Sequence, residues 1–366
     1  MRAWMPPRRA TSVLACVLTA VALVVAGCGG DSDSDGSSSG STAESRPAPS
    51  KSEFPSAEGK TLAEVVKAAD APAPLVVSPA AMVFNEGENR YPFGVFHADR
   101  RPVSDAEVAL YVAEVPSTQV GSDGSGEGGK PSKGAIARAR TEALDGPARG
   151  PFPARIESIG TAPAFRAQTT TSDPDAATVV YVTDLDFPRD GEWRIAALIK
   201  EGDEITATLM PSAVVGEFTG VPGKGDKAPS IHTPTASDVG GDLAEITTRV
   251  PPDTQNRVDY ADVLGQELVV LLFATPQFCQ SRVCGPVVDV AEQVKEVDAG
   301  EAEFIHMEIF KDNDPGKGVR EQVRAFNLPS EPWLFVIDRD GTIQTAVEGA
   351  FGPELLTEAV EGVAGG

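Results

Sequence analysis

The chain has 366 residues, room for two domains and their linkers, and 41% hydrophobic content, enough for real cores. A formal charge of −23 repels nucleic acid and anionic lipid headgroups, so neither is expected as a partner. His97, His232 and His306 lie far apart in sequence, which argues against a multi-histidine metal centre, and no metal or other cofactor is expected.

Residues 1–10 are positively charged. Thr11 to Gly27 form an apolar run of roughly 16 residues, short for a membrane-spanning helix and right for the hydrophobic region of a signal peptide. The run ends in Val25-Ala26-Gly27-Cys28, which resembles the bacterial lipobox. That resemblance implies cleavage before Cys28, a diacylglycerol on its thiol, palmitate among its lipids, and residence on the extracytoplasmic face of the cell membrane. The rival is a plain transmembrane anchor. Losing residues 1–27 removes Arg2, Arg8 and Arg9 and no acid, so the mature chain carries −26. The Gly-, Ser- and Asp-rich stretch after Cys28 buries too little apolar surface to offset its ordering entropy and reads as a flexible tether to about Pro55. A short amphipathic helix over Thr61–Val66 completes the 28–73 segment. With Cys16 lost and Cys28 acylated, Cys279 and Cys284 are the remaining thiols, and in an oxidising compartment they have only each other within the chain.

Residues 74–218 read as an all-β domain. Glu107–Val112 and Trp193–Ile199 alternate in polarity, and Thr178–Val182 suits a buried strand. Clusters such as Pro188-Arg189-Asp190-Gly191 punctuate them, which predicts a β-sandwich. Asp190-Gly191-Glu192-Trp193-Arg194 resembles a strand start of immunoglobulin-like domains. Gly121–Lys133 is expected to be a flexible hairpin loop. His97 beside Asp99 is no catalytic constellation, and the domain reads as a spacer or as a docking module for a redox partner. Residues 219–256, rich in turn and extended signals, are expected to be a linker.

From residue 257 the predicted elements alternate. A short helix spans Asp259–Leu264, and a continuous apolar strand follows over Glu267–Phe273. A helix begins near Pro286 with Val287, Val290, Ala291, Val294 and Val297 on one face. Then come a strand over Glu303–Phe310, a helix over Lys317–Phe326, strands over Trp333–Ile337 and Thr342–Glu348, and a helix over Pro353–Val363. This βαβαββα order is α/β.

The order and several residues resemble the thioredoxin-like family, in particular its extracytoplasmic thiol-disulfide oxidoreductases. Phe273–Cys279 is similar to that family's approach from strand to cysteine, Cys284-Gly285-Pro286 to half of its C-G-P-C motif, and Ile337-Asp338-Arg339-Asp340-Gly341 to its hairpin. The resemblance covers about 226–363. It implies Cys279 and Cys284 as the redox pair, protein thiols and disulfides as partners, and a cis Pro332 which, with Glu331, borders an extended peptide substrate. One departure stands out: the pair is C-x4-C, and Val287 sits where the second cysteine belongs. Positions i and i+5 differ by about 140° around a helix, so a bond needs one cysteine outside it. With Pro286 at the first helical position, Cys284 lies at the helix N-terminus and Cys279 in the loop before it. That end of a helix lowers a thiol pKa, and Arg282 adds to this if it points inward. Helix placement thus favours Cys284 as the attacking thiol, whereas the alignment from Phe273 favours Cys279. The rival readings are a static disulfide in a non-catalytic binding module, a peroxiredoxin-type peroxidase, and a copper chaperone.

Overall fold

A computed structural model describes residues 44–117, 133–172, 176–279, 283–298 and 300–365. The signal-like run, the lipobox with Cys28, most of the Gly121–Lys133 excursion and Arg282 lie outside the described residues. Thr42 to the C-terminus forms one compact unit.

The first part of that unit runs α1 (Leu62–Lys67), β1 (Ala71–Pro72), β2 (Leu75–Pro79), β3 (Gly87–His97), β4 (Glu107–Glu114) and α2 (Lys133–Glu142). It continues with β5 (Arg149–Pro153), β6 (Arg155–Ser158), α3 (Gln168–Thr171), β7 (Val179–Phe187), β8 (Gly191–Glu201), β9 (Glu204–Leu209) and β10 (Ala213–Val215). One sheet has the order β2-β3-β7-β6, and the other β1-β9-β8-β4-β5 with β10 beside β8. Pairing is antiparallel except between β1 and β9. Alternation sets the inner faces: Val108, Leu110 and Val112 of β4 and Ile195, Ala197 and Ile199 of β8 share a core with Tyr91, Phe93, Val95 and Tyr181 of the facing sheet.

The outer face of β4 and β8 is also dry. Ala109, Tyr111, Ala113 and Leu198 pack against Phe54, Ala57, Leu62 and Val65. The segment read as tether up to Pro55 is therefore attached to the body from residue 46, where Arg46 bridges Ile156. Tyr111 donates its hydroxyl to the Pro55 carbonyl at 2.6 Å. α1 is held by a reciprocal capping box between Thr61 and Glu64, which satisfies two end donors of a six-residue helix. The region expected to be all-β also carries α2 and α3. Lys133, expected to close a loop, opens α2, which is anchored by Ala139 packing on Val115 and Ala143.

The second part runs α4 (Tyr260–Val263), β11 (Leu268–Phe273), α5 (Cys284–Val297), β12 (Ala302–Met307), α6 (Glu321–Ala325), β13 (Trp333–Ile337), β14 (Ile343–Glu348) and α7 (Pro353–Ala364). The sheet order is β12-β11-β13-β14, with β11 parallel to β12 and antiparallel to β13. α5 and α7 cover one face, and Tyr260, Val323 and Phe326 of α4, α6 and its end cover the other. This is the element order expected from the sequence. α5 starts two residues earlier than Pro286, because proline is tolerated throughout a first turn whose N–H groups have no helical partner. α6 is shorter than expected, because Gly318 at φ 75° breaks the chain before it.

The two parts meet across a tight seam. A Cβ at Gly349 would overlap the Ala80 carbonyl, and one at Gly352 the Ser158 carbonyl. Glu348 accepts from the backbone N–H of Met82 and of Val83, and Arg90 donates to the Ala350 carbonyl at 2.8 Å. Residues 247–256, expected within a linker, are largely buried, including Thr247, Arg249, Asp253 and Asn256.

Candidate functional site

Phe273 ends β11 between Met307 of β12 and Trp333 of β13. Since β12 is parallel and β13 antiparallel to it, three segments leave the sheet at the same end: Ala274–Cys279, Glu308–Phe310 and Ser330–Pro332. α5 also starts at this end. Cys279 and Cys284 are joined by a disulfide with Cα atoms 5.9 Å apart. Cys284 is the first residue of α5 and Cys279 lies outside the helix, as the five-residue spacing demands.

The two sulfurs are not equivalent. Cys284 has no exposed surface and sits among Val287, Val288, Leu334 and Phe351, whereas Cys279 is half-buried at the rim of that cluster. The first turn of α5 is pressed against the β-rich part: Val283 packs on Ile159, Val180 and Val182, and a Cβ at Gly285 would stand 2.9 Å from the Thr170 hydroxyl. Farther along α5, Asp289 pairs with buried Arg249 at 2.9 Å and accepts from the Ala167 N–H at 3.1 Å. Arg249 also donates to the Pro251 and Phe165 carbonyls, so its fork ties three segments together.

Pro332 is buried and joined to Glu331 by a cis peptide bond, as the family resemblance implies, and Glu331 is partly buried. Glu308 accepts from the Thr248 N–H at 3.0 Å and its hydroxyl at 3.1 Å, and the same hydroxyl accepts from the Gln277 N–H in the cysteine loop. Glu308 Oε1 and Thr275 Oγ1 are both buried at this end of the sheet. Burial pushes the Glu308 carboxyl up, and burial together with Glu308 pushes Glu331 up. Phe278 meets Phe310 edge-on at 6.2 Å.

No family model and no curated protein matches the chain. Solved structures do, and two of them are thiol:disulfide interchange proteins. One is a thiol:disulfide interchange protein DsbE from Chlorobium tepidum, 20% identical, covering 39% of this chain and 99% of its own, with a TM-score of 0.28. The other is a thioredoxin-family thiol:disulfide interchange protein from Chlorobium tepidum TLS, 17% identical, covering 38% of this chain and 97% of its own, with a TM-score of 0.28.

In the sequence His306 is only one of three histidines far apart along the chain. Its imidazole is fully buried, 2.9 Å from Asp253 and 3.1 Å from the Ala274 carbonyl. Burial alone would lower its pKa, but the Asp253 carboxylate overrides burial and raises it to about 9; burial alone would raise Asp253, and His306 holds it at about 2. The sequence signal was faint: Asp253 lies in a stretch read as linker, and no spacing rule joins it to residue 306. Among the described residues no group of three or more His, Cys, Asp or Glu is placed to hold a metal ion, and no helix is long and apolar enough to cross a membrane. His97, paired in sequence with Asp99, lines a cavity, while Asp99 pairs with Arg101 at 2.8 Å.

Proposed function

We propose that this protein is a lipid-anchored, extracytoplasmic thiol-disulfide oxidoreductase acting on protein disulfides through Cys279 and Cys284. The observation that carries this reading is the asymmetry of the bond: one sulfur at the rim, the other sealed beneath it at the start of a 14-residue helix. A substrate reaches Cys279, so exposure favours Cys279 as the attacking thiol over the alternative that helix placement alone suggested. In the reduced protein the Cys279 thiolate attacks a substrate disulfide R–S–S–R′. A mixed disulfide to R forms, and R′–S⁻ leaves and takes up a proton. The Cys284 thiolate then attacks the Cys279 sulfur, expelling R–S⁻, which is protonated in turn. Two electrons pass to the substrate, and the protein is left with the Cys279–Cys284 bond seen here. The positive end of α5 favours the thiolate form of a sulfur placed there. Pro332 and Glu331, brought to the same end of the sheet, border the path of the substrate peptide.

Trapping tests the assignment. Cys284→Ser is expected to accumulate a mixed disulfide through Cys279, and Cys279→Ser to accumulate none. A reduction potential below about −300 mV would instead mark a structural bond. The anchor is tested separately: labelled palmitate is expected in the full chain in cells and not in Cys28→Ala.

A further inference from the structure

The apolar outer face of the first sheet is only partly covered. Val180, Val182 and Ile159 pack under Val283 and Ala350 at the seam. Beyond Val283, among the described residues, the same face continues uncovered as a cavity of about 470 Å³, lined by Val76, Phe96, Val180, Val283, His97 and Arg100. That volume suits a small ligand or a few side chains. Its floor is built locally: a Cβ at Gly94 would overlap the edge of the Phe96 ring, so only glycine admits the ring there. Its outer wall, Val76, is 52% exposed on the edge strand β2.

The position of Val283 decides what this cavity faces. Val283 directly precedes Cys284, whose Cα is 5.9 Å from that of Cys279. The cavity wall therefore lies within about 10 Å of the accessible cysteine, a span an extended chain crosses in about three residues. We propose that the cavity seats an apolar side chain of the polypeptide substrate itself, carried about three residues from the substrate cysteine. This rests on the exchange reading above and adds a sequence preference to it. The covalent partner is the occupant best placed to use the site. Once it is joined to Cys279, its neighbouring side chain is held beside the cavity at high effective concentration. The β-rich part then selects the substrate, as well as bracing α5.

Exchange rates of the reduced full chain test this with three probes: glutathione disulfide, a peptide–glutathione mixed disulfide with Leu three residues from its Cys, and the same peptide with Ser in place of Leu. Burying one leucine corresponds to a gain of about tenfold to a hundredfold in rate for the Leu peptide over the Ser peptide. Val76→Glu, at an exposed position, is expected to erase that gain and leave the glutathione disulfide rate unchanged. Equal rates for the two peptides, or a Val76→Glu defect equal for all three probes, overturn the docking site while exchange itself stands. Equal peptide rates together with saturable binding of dodecanol that Val76→Glu abolishes would assign the cavity to a free apolar ligand instead. Absence of exchange with every probe overturns the exchange reading, and docking with it.

Discussion

The His306 imidazole has no contact with solvent, yet Asp253, Glu308 and the Ala274 carbonyl all favour its protonated form. Because its folded pKa lies above the unfolded value near 6.5, its contribution to stability is full below pH 6.5 and fades as pH rises through about 9. Asp253, depressed to about 2, contributes above its ordinary value of 3.8 and loses that contribution as pH falls through about 2. The pair therefore stabilises most between about pH 4 and 6.5. His306→Phe strands a buried carboxylate, and urea unfolding at pH 6 is expected to show a loss of about 3–5 kcal/mol that shrinks towards pH 9. Glu308 behaves oppositely to Asp253. Its raised pKa means that the unfolded chain gives up the proton first, so stability falls as pH rises above about 4.5. Glu308→Gln keeps the acceptor for Thr248 and removes the ionisation. The variant is expected to equal or exceed the parent in stability at pH 7 and to lose that advantage near pH 4, read from urea midpoints.

At the scale of elements, α5 is the piece whose placement matters most, and Arg249 is what fixes its flank. Arg249→Ala leaves Asp289 buried without its cation, held by the Ala167 N–H and the Thr170 side chain, so a loss of about 3–5 kcal/mol is expected in chemical denaturation. Burial pushes the Asp289 carboxyl up, which means that the variant's deficit shrinks at low pH as that carboxyl takes a proton. Much of this layer was legible in the sequence. The apolar run at Leu268–Phe273, the valine face of α5 and the Asp-x-Asp-Gly turn before β14 are local signals, and each lands within a few residues of its expected place. The cysteine pair was legible too, because no other thiols follow Cys28. The shortened α6 was not, since the pattern does not show that Gly318 adopts a positive φ. Nor was the start of α2, a helix held by the contacts of Ala139 with Val115 and Ala143.

Among the described residues, two sheet systems close against each other. Gly349 combines φ 83° with direct apposition to the Ala80 carbonyl, so alanine there is strained twice. Gly349→Ala is expected to cost at least about 2 kcal/mol and to disturb both parts together. The parent is expected to unfold in one transition, with near-ultraviolet signals and amide exchange of both cores coinciding; two separated transitions would count against the seam as a cooperative interface. Individual strands such as β4, β8 and β11 were readable because strand and helix periods are short-range patterns, visible within a window of about a dozen residues. The sequence by itself also set the chemistry on offer: two thiols, five positions apart, at a strand-to-helix junction. Only the tertiary structure decided which sulfur faces outward, that the stretch before Tyr260 is a buried wedge carrying Arg249 and Asp253, and that the β-rich part braces the helix of Cys284. Each of those depends on residues tens to hundreds of positions apart meeting in a low-dielectric interior, where the partner, and not the local pattern, determines charge and exposure.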